Sequence, residues 1–209
     1  MNPLFSVIIP SYLGHYPTAA KNRDQKIIRA IDSVVDQSFK SWEAIIIADG
    51  CEKTYSIVEK NYFKDHRINC ILIEKQNLWS GGPRNIGILS ARGEYIIYLD
   101  IDDYFGRNHL SIVASELEKQ GYPEWAWFND LVGSKTGHFT EAERDIFKKF
   151  QHGTCNIVHK TRLGALWPQQ SDYTHDFVFC NQLKMLSEKF TQLKTPQYHV
   201  CHIPKKFDI

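Results

Sequence analysis

"YIIYLDIDDYFG", residues 95–106, runs from the strand-forming residues Tyr95 to Leu99 straight into Asp100, Asp102 and Asp103. So apolar a run reads as a strand buried on both faces, the kind found in parallel sheets with helices on either side. Carboxylates are seldom placed beside such a strand without partners. In an open parallel sheet, ligands bind beyond the carboxyl ends of the strands. Three acids at that end therefore point to a site.

The pattern extends in both directions. "LFSVIIP" (4–10) reads as a first strand stopped by Pro10. "DQKIIRAIDSVVDQSF" (24–39) then places Ile27, Ile28, Ile31, Val34 and Val35 on one helical face. "WEAIIIAD" (42–49) is a second buried strand, a helix follows through Val58 and Tyr62, and "INCILIE" (68–74) is a third strand. Ser80 stands where a helix N-cap belongs, ahead of "GGPRNIGILSARG" (81–93), with Pro83 in the first turn and Gly93 as the stop. After the acidic stretch, "NHLSIVASELEKQG" (108–121) is an amphipathic helix and "EWAWFND" (124–130) a fifth strand. This alternation predicts an α/β fold with a mostly parallel central sheet and helices on both faces. In the last third, "GTCNIVHK" (153–160) and "PQYHVCHI" (196–203) read as strands and "HDFVFCNQLKMLSEKF" (175–190) as a helix.

The totals narrow the class. The 209 residues fit one globular domain, with 43% hydrophobic and 23% charged residues. A formal net charge of +1 leaves no basic surplus for nucleic acid. No apolar run has the length of a transmembrane segment, and the N-terminus lacks the basic stretch of a secretory signal. Five scattered cysteines without a C-x-x-C pair read as reduced thiols in a cytoplasmic protein. Neither G-x-G-x-x-G nor G-x-x-x-x-G-K-[ST] is present, which sets dehydrogenases and P-loop phosphotransferases aside.

On an extended segment Asp100 and Asp102 point to one side. Such a pair repels unless a cation or hydrogen-bond donors stand between them, and a Mg²⁺-type ion takes one or two carboxylates plus phosphate oxygens. The bland alternative is that the acids cap the next helix. By residue pattern alone that alternative is the commoner.

The chain resembles family 2 glycosyltransferases of the GT-A fold. The resemblance is carried by "SVIIPSY" (6–12), "QSFKSWEAIIIADG" (37–50), "NLWSGGPRNIGILSARGEYIIYLDIDD" (77–103) and "THDFVF" (174–179), in the family's order. It implies a metal-dependent, inverting glycosyltransferase of hexosyl-transferring type, moving a sugar from a nucleotide-diphospho-sugar, UDP-linked by preference, to a hydroxyl of a glycan or saccharide acceptor. Pro10, Ser11 and Tyr12 would line the nucleotide pocket. Asp49 would receive the base, although Ala48 stands where the family often has a second acid. Arg84 and Asn85 match the family's Arg-Asn pair, with Arg84 reaching towards base or phosphate. Trp79 and Pro83 replace small residues and would reshape the sugar pocket. Asp100 would bind ribose or donor sugar, Asp102 the Mn²⁺ or Mg²⁺ ion, and Asp103 would cap the following helix.

Inversion needs a carboxylate to take the acceptor hydroxyl's proton. The resemblance assigns that base to Asp176; the alternative is an ordinary acidic first helical turn. His175, in the family's Glu position, is read as tuning Asp176, touching the acceptor or being exposed. Of the late histidines (His152, His159, His175, His199, His202), His202 best fits the family's occasional metal-shell histidine, with a satisfied or exposed histidine the alternative. The alternation of His199, Cys201 and His202 argues against structural zinc. Trp42, Trp125 and Trp127 read as packing, and Trp79 and Trp167 as substrate contacts.

Residues 1–130 would form the nucleotide-sugar half and 131–209 the acceptor half of a single domain. The chain stops soon after its last strand, which suggests a domain cut from a longer polypeptide. Two rivals stay open. A nucleotidyltransferase should show a basic glycine-rich loop after the first strand, whereas "PSYLGHYPTAAKNR" has only Gly14 before Lys21 and Arg23. A non-catalytic sugar- or nucleotide-binding module would have little use for both Asp102 and Asp176.

Overall fold

The computed structural model describes residues 2–76, 79–151, 153–169, 174–194, 197–203 and 206–209. In chain order it forms β1 (Phe5–Ser11), α1 (Arg23–Val35), β2 (Trp42–Asp49), α2 (Glu52–Tyr62), β3 (Ile68–Ile73), α3 (Gly81–Ser90) and β4 (Tyr95–Tyr98). β5 (Tyr104–Phe105), α4 (His109–Lys119), β6 (Trp125–Phe128), β7 (Asp130–Gly133) and β8 (Phe139–Ala142) follow. The last part holds β9 (Ile157–Lys160), α5 (His175–Leu186), β10 (Phe190–Leu193), β11 (Tyr198–Val200), β12 (His202–Ile203) and β13 (Phe207–Asp208).

The main sheet has the order β10-β6-β9-β4-β1-β2-β3. All its pairings are parallel except those of β9, which lies antiparallel between β4 and β6. The fold is therefore α/β with a mostly parallel central sheet. Every residue of β1, β2 and β4 is buried, as expected of strands covered on both faces. Ile27, Ala30, Ile31 and Val34 of α1 are buried in the same core as Ile45, Ile46 and Ile47. Burying each of these isoleucine and valine side chains contributes roughly 1.5–3 kcal/mol. β3, at the edge, alternates between half-buried and exposed positions.

A second sheet, β5-β11-β7-β8, and the β12–β13 hairpin stand beside the main one. β5 directly follows the acidic turn, so the second sheet grows from the place where β4 ends.

Several boundaries differ from the sequence reading. Pro10 does not stop β1, which continues to Ser11. The β4 register ends at Ile8 opposite Tyr98, so the side of Pro10 that lacks an N–H faces no ladder partner, and proline costs nothing there. Residues 124–130 divide between β6 and β7, which belong to different sheets. The helix over 175–190 ends at Leu186, and Phe190 opens β10, parallel to β6. The final strand breaks at Cys201 into β11 and β12, with residue 196 outside the described residues. α3 ends at Ser90, before Gly93, whereas Gly121 (φ 71°) does follow the end of α4. His152 and residues 77, 78 and 170–173 also lie outside the described residues.

Candidate active site

The carboxyl ends of β2 and β4 flank the end of β1 and carry the acids. Asp49, the last residue of β2, is buried, and both its oxygens are occupied. Oδ1 accepts the Gln76 backbone N–H at 2.7 Å, and Oδ2 accepts from Lys75 Nζ at 2.6 Å. Gly50 makes this possible: it has φ +60°, and a Cβ there would lie 2.5 Å from Lys75 Cβ. Next to it, Ser11 Oγ shares a 2.8 Å hydrogen bond with Thr54 Oγ1 of α2, and Lys75 Nζ lies 4.4 Å above the Tyr12 ring. Pro10, Ser11, Tyr12 and Asp49 thus belong to one wall.

Beyond Tyr98 the chain does not stay extended. It turns, with Asp103 N–H donating to Asp100 O at 3.1 Å. Asp100, Asp102 and Asp103 consequently meet three different surroundings. Asp100 Oδ1 accepts from Arg84 Nη2 at 2.9 Å and keeps a side chain 41% exposed. Asp103 is buried and saturated, accepting from Tyr198 O–H at 2.8 Å and Cys201 N–H at 2.7 Å. It anchors β11 and does not cap α4, whose N-cap is Asn108. Asp102 has a buried Oδ1 without a hydrogen-bond partner. Burial pushes its carboxyl above the ordinary range; His202 pulls it back and Asp100 pushes it further up. A buried, unsatisfied carboxylate oxygen is costly unless something else completes it.

Arg84 and Asn85 lie on α3, the helix that packs beneath β1 and β2. Ser80, the N-cap, makes no capping bond with its side chain; its Oγ accepts from Arg84 Nη1 instead. The Arg84 side chain is only 3% exposed, lies 5.0 Å from the Trp167 ring centroid and pairs with Asp100. Its guanidinium bonds Asp100 and the Ser80 hydroxyl. Asn85 bridges the Trp167 backbone, donating to its carbonyl at 2.9 Å and accepting its N–H at 2.7 Å. Trp167 itself is buried, stacked on Phe179 at 3.9 Å between centroids. It is a core residue and makes no surface for substrate, contrary to its sequence reading.

Trp79 remains 38% exposed, with its ring edge-on to His175 at 5.5 Å. His175 is buried, and its Nε2 lies 3.1 Å from Asp176 Oδ1 in the first turn of α5. His175 is therefore not exposed, and it touches Asp176. Asp176 thus connects through His175, Trp167 and Arg84 to Asp100, which joins the late helix to the acidic turn.

His202 stands on the hairpin, with Nε2 3.1 Å from Thr18 O and Nδ1 3.3 Å from Asp208 Oδ1. Asp208 is further held by Lys26 and by the Lys21 N–H. Arg29 ties the same region together, donating to Asp102 O at 2.6 Å. Among the described residues, no cluster of three or more His, Cys, Asp or Glu is arranged to hold a metal ion. Sequence reasoning missed Lys75, Tyr16, Arg23 and Tyr198. They sit in loops, on a short strand or, for Arg23, at the first position of α1, where periodicity gives no signal, and only the folded chain brings them to the acids.

The family model described as Glycosyl transferase family 2 matches residues 6–190, and the chain belongs to that family. It is 32% identical over 219 aligned residues to the amylovoran biosynthesis glycosyltransferase AmsB of Erwinia amylovora, covering 94% of this chain and 69% of that protein. It is 29% identical over 118 residues to the poly(ribitol-phosphate) beta-N-acetylglucosaminyltransferase TarS of Staphylococcus aureus, covering 55% of this chain and 19% of that protein. The crystal structure of S. aureus TarS 1–349 in complex with UDP-GlcNAc superposes with a TM-score of 0.77 at 18% identity, covering 99% of this chain and 60% of that one. That likeness establishes the GT-A fold. The chain spans 15% to 44% of the length of four other curated relatives. All five cysteines are free, and among the described residues no helix is long and apolar enough to cross a membrane.

Proposed function

We propose that this chain is an inverting glycosyltransferase domain that transfers a hexosyl group from a UDP-sugar to a hydroxyl of a saccharide acceptor. Residues 1–130 bind the donor, and 131–209 bring the base to the acceptor. The observation that carries the reading is the unsatisfied, buried Oδ1 of Asp102 beside an Arg84-held Asp100, at the carboxyl end of a central parallel strand. Family membership supports the reaction class, and the relative solved with UDP-GlcNAc supports a UDP-linked donor.

The residues present fit a divalent ion, Mn²⁺ or Mg²⁺, with few protein donors. Asp102 offers an oxygen lacking a partner, Asp100 is exposed on the same turn, and His202 is close enough to act on Asp102 electrostatically. When bound, the ion offsets charge on the departing diphosphate. Asp49, its oxygens held by the Gln76 N–H and Lys75, fixes the wall on which the base lies, and the Tyr12 ring, backed by Lys75, lines the nucleoside. Asp176 accepts the acceptor hydroxyl's proton as that oxygen forms its bond to the anomeric carbon. The bond from the anomeric carbon to the diphosphate breaks at the same centre, its electron pair leaving on the diphosphate oxygen. His175, 3.1 Å from Asp176 Oδ1, orients the carboxylate. Trp79 offers an exposed aromatic face for a sugar ring.

Calorimetric titration of UDP and GDP, with and without Mn²⁺, tests the donor site on wild type and Asp102→Asn. Manganese-strengthened UDP binding that the substitution removes is expected. A protein that binds neither nucleotide under any condition refutes the reading. Asp176→Asn should leave UDP affinity unchanged and lower turnover about 100- to 10,000-fold, the usual range for a lost general base.

A further inference from the structure

Beside Asp49 stands a pair of stacked tyrosine rings with a cation against each. Lys75, bonded to Asp49, lies over one face of Tyr12. The Tyr12 and Tyr16 rings stack at 6.4 Å with an interplanar angle of 25°. The Arg23 guanidinium lies 4.6 Å from the Tyr16 centroid. Arg23 is itself a buried clamp at the start of α1, donating to the carbonyls of Tyr12 (2.6 Å), Leu13 (3.3 Å) and Gly14. Gly14 lets the turn close: a Cβ there would lie 2.3 Å from the Tyr12 phenol oxygen. The segment 12–16 is thus wound tightly and fixed by one arginine, yet Tyr16 is still 40% exposed.

Ionisation of the Tyr16 phenol is opposed by burial first and then by Asp102 and Asp100, with Arg23 favouring it. The ring therefore lies within electrostatic reach of both carboxylates and keeps its proton. A neutral O–H is well suited to that place. A lysine there would pair with the acids and close the site, whereas a phenol stays available to an anionic ligand.

We propose that Tyr16 is a donor-binding residue, its hydroxyl donating a hydrogen bond to the diphosphate of the nucleotide-sugar, with the Tyr12–Tyr16 stack forming the wall along which the donor lies. This assignment rests on the donor-site reading above. It gives Tyr16, beyond the "SVIIPSY" stretch, a function that no motif in the sequence marks.

The test is titration of UDP and of uridine, in the presence of Mn²⁺, into wild type, Tyr16→Phe and Tyr16→Ala. A hydrogen bond to a charged group is worth about a factor of 10 or more in affinity. Tyr16→Phe should therefore bind UDP about 10-fold more weakly while binding uridine like wild type. Tyr16→Ala should weaken both, because it also removes the wall. If Tyr16→Phe binds UDP as wild type does, or loses UDP and uridine equally, the hydroxyl's role is overturned. Wild type that fails to bind UDP at all overturns the donor site itself, a distinct result. Matching thermal transitions of wild type and Tyr16→Phe establish that the comparison concerns binding and not folding.

Discussion

The ends of β2 and β4, on either side of β1, each carry buried carboxylate oxygens, and the two strands treat them differently. At β2, Asp49 is saturated, one oxygen on a backbone N–H and the other on Lys75. At β4, three acids share a turn: Asp103 is saturated, Asp100 leans on Arg84, and Asp102 keeps a buried oxygen with no donor. A saturated carboxylate is part of the scaffold, because its donors would be stranded by its loss. An unsatisfied one costs the fold free energy that a bound ligand recovers. The difference separates acids whose oxygens the fold itself fills from one whose oxygen it leaves open.

Asp103→Asn probes the scaffold side most severely. An amide supplies one acceptor oxygen for two donors, Tyr198 O–H and Cys201 N–H, and turns an NH₂ group towards one of them. A loss of about 2–3 kcal/mol is expected. Chemical denaturation should show it as a lower midpoint, and an unchanged midpoint would remove the distinction between saturated and open acids.

Residue by residue, the effect of acidification should come next in size. His109 and His159 are both buried, and burial pushes them down to about 3 and about 4. His159 Nε2 meets the Tyr98 hydroxyl at 2.7 Å and Nδ1 faces Lys160 O at 3.2 Å; His109 packs among Phe105, Phe128 and Tyr198, with His199 further disfavouring its charged form. Their folded pKa values lie below the unfolded 6.5, so the stability they contribute is present above pH 6.5 and is lost as pH falls towards the folded values. Between pH 7 and pH 5 each should cost about 2 kcal/mol. Melting curves across that window check it, and His159→Gln should flatten the slope.

The smallest expected effect is the sharpest test of the comparison. Asp102→Asn should leave the stability of the ligand-free protein within about 0.5 kcal/mol of wild type, or raise it, because a neutral group replaces a carboxylate with an unpaired buried oxygen. Thermal unfolding measures this. A clear loss of stability would make Asp102 a scaffold residue like Asp103.

Much of the first hundred residues was legible in advance. β2 spans the expected 42–49, because eight successive buried positions in a central strand leave no exposed break to misread. Past residue 124 the reading loosened for a physical reason. The strands there are two to four residues long, too short for periodicity to register, and they divide between sheets. The helix read over 175–190 took in the first residue of β10 because Phe190 continues an apolar spacing that only its pairing with Trp125 in β6 reassigns.

By itself the sequence determined the alternation of buried strands and amphipathic helices, and with it a parallel sheet whose carboxyl ends carry Asp49 and the acids at 100–103. Hydrophobic period and local acid spacing are properties of neighbouring residues, and neighbours are what a sequence records. Tertiary structure alone decided that Asp103 anchors β11, that Trp167 is core, that Arg84 bonds Asp100, and that Asp102 is left with an open oxygen. Each of those outcomes depends on a donor or a ring supplied from elsewhere along the chain, 95 residues away in the case of Tyr198 and Asp103. Whether a carboxylate is scaffold or site is set by who arrives to bond it, and that is fixed only when the sheet closes.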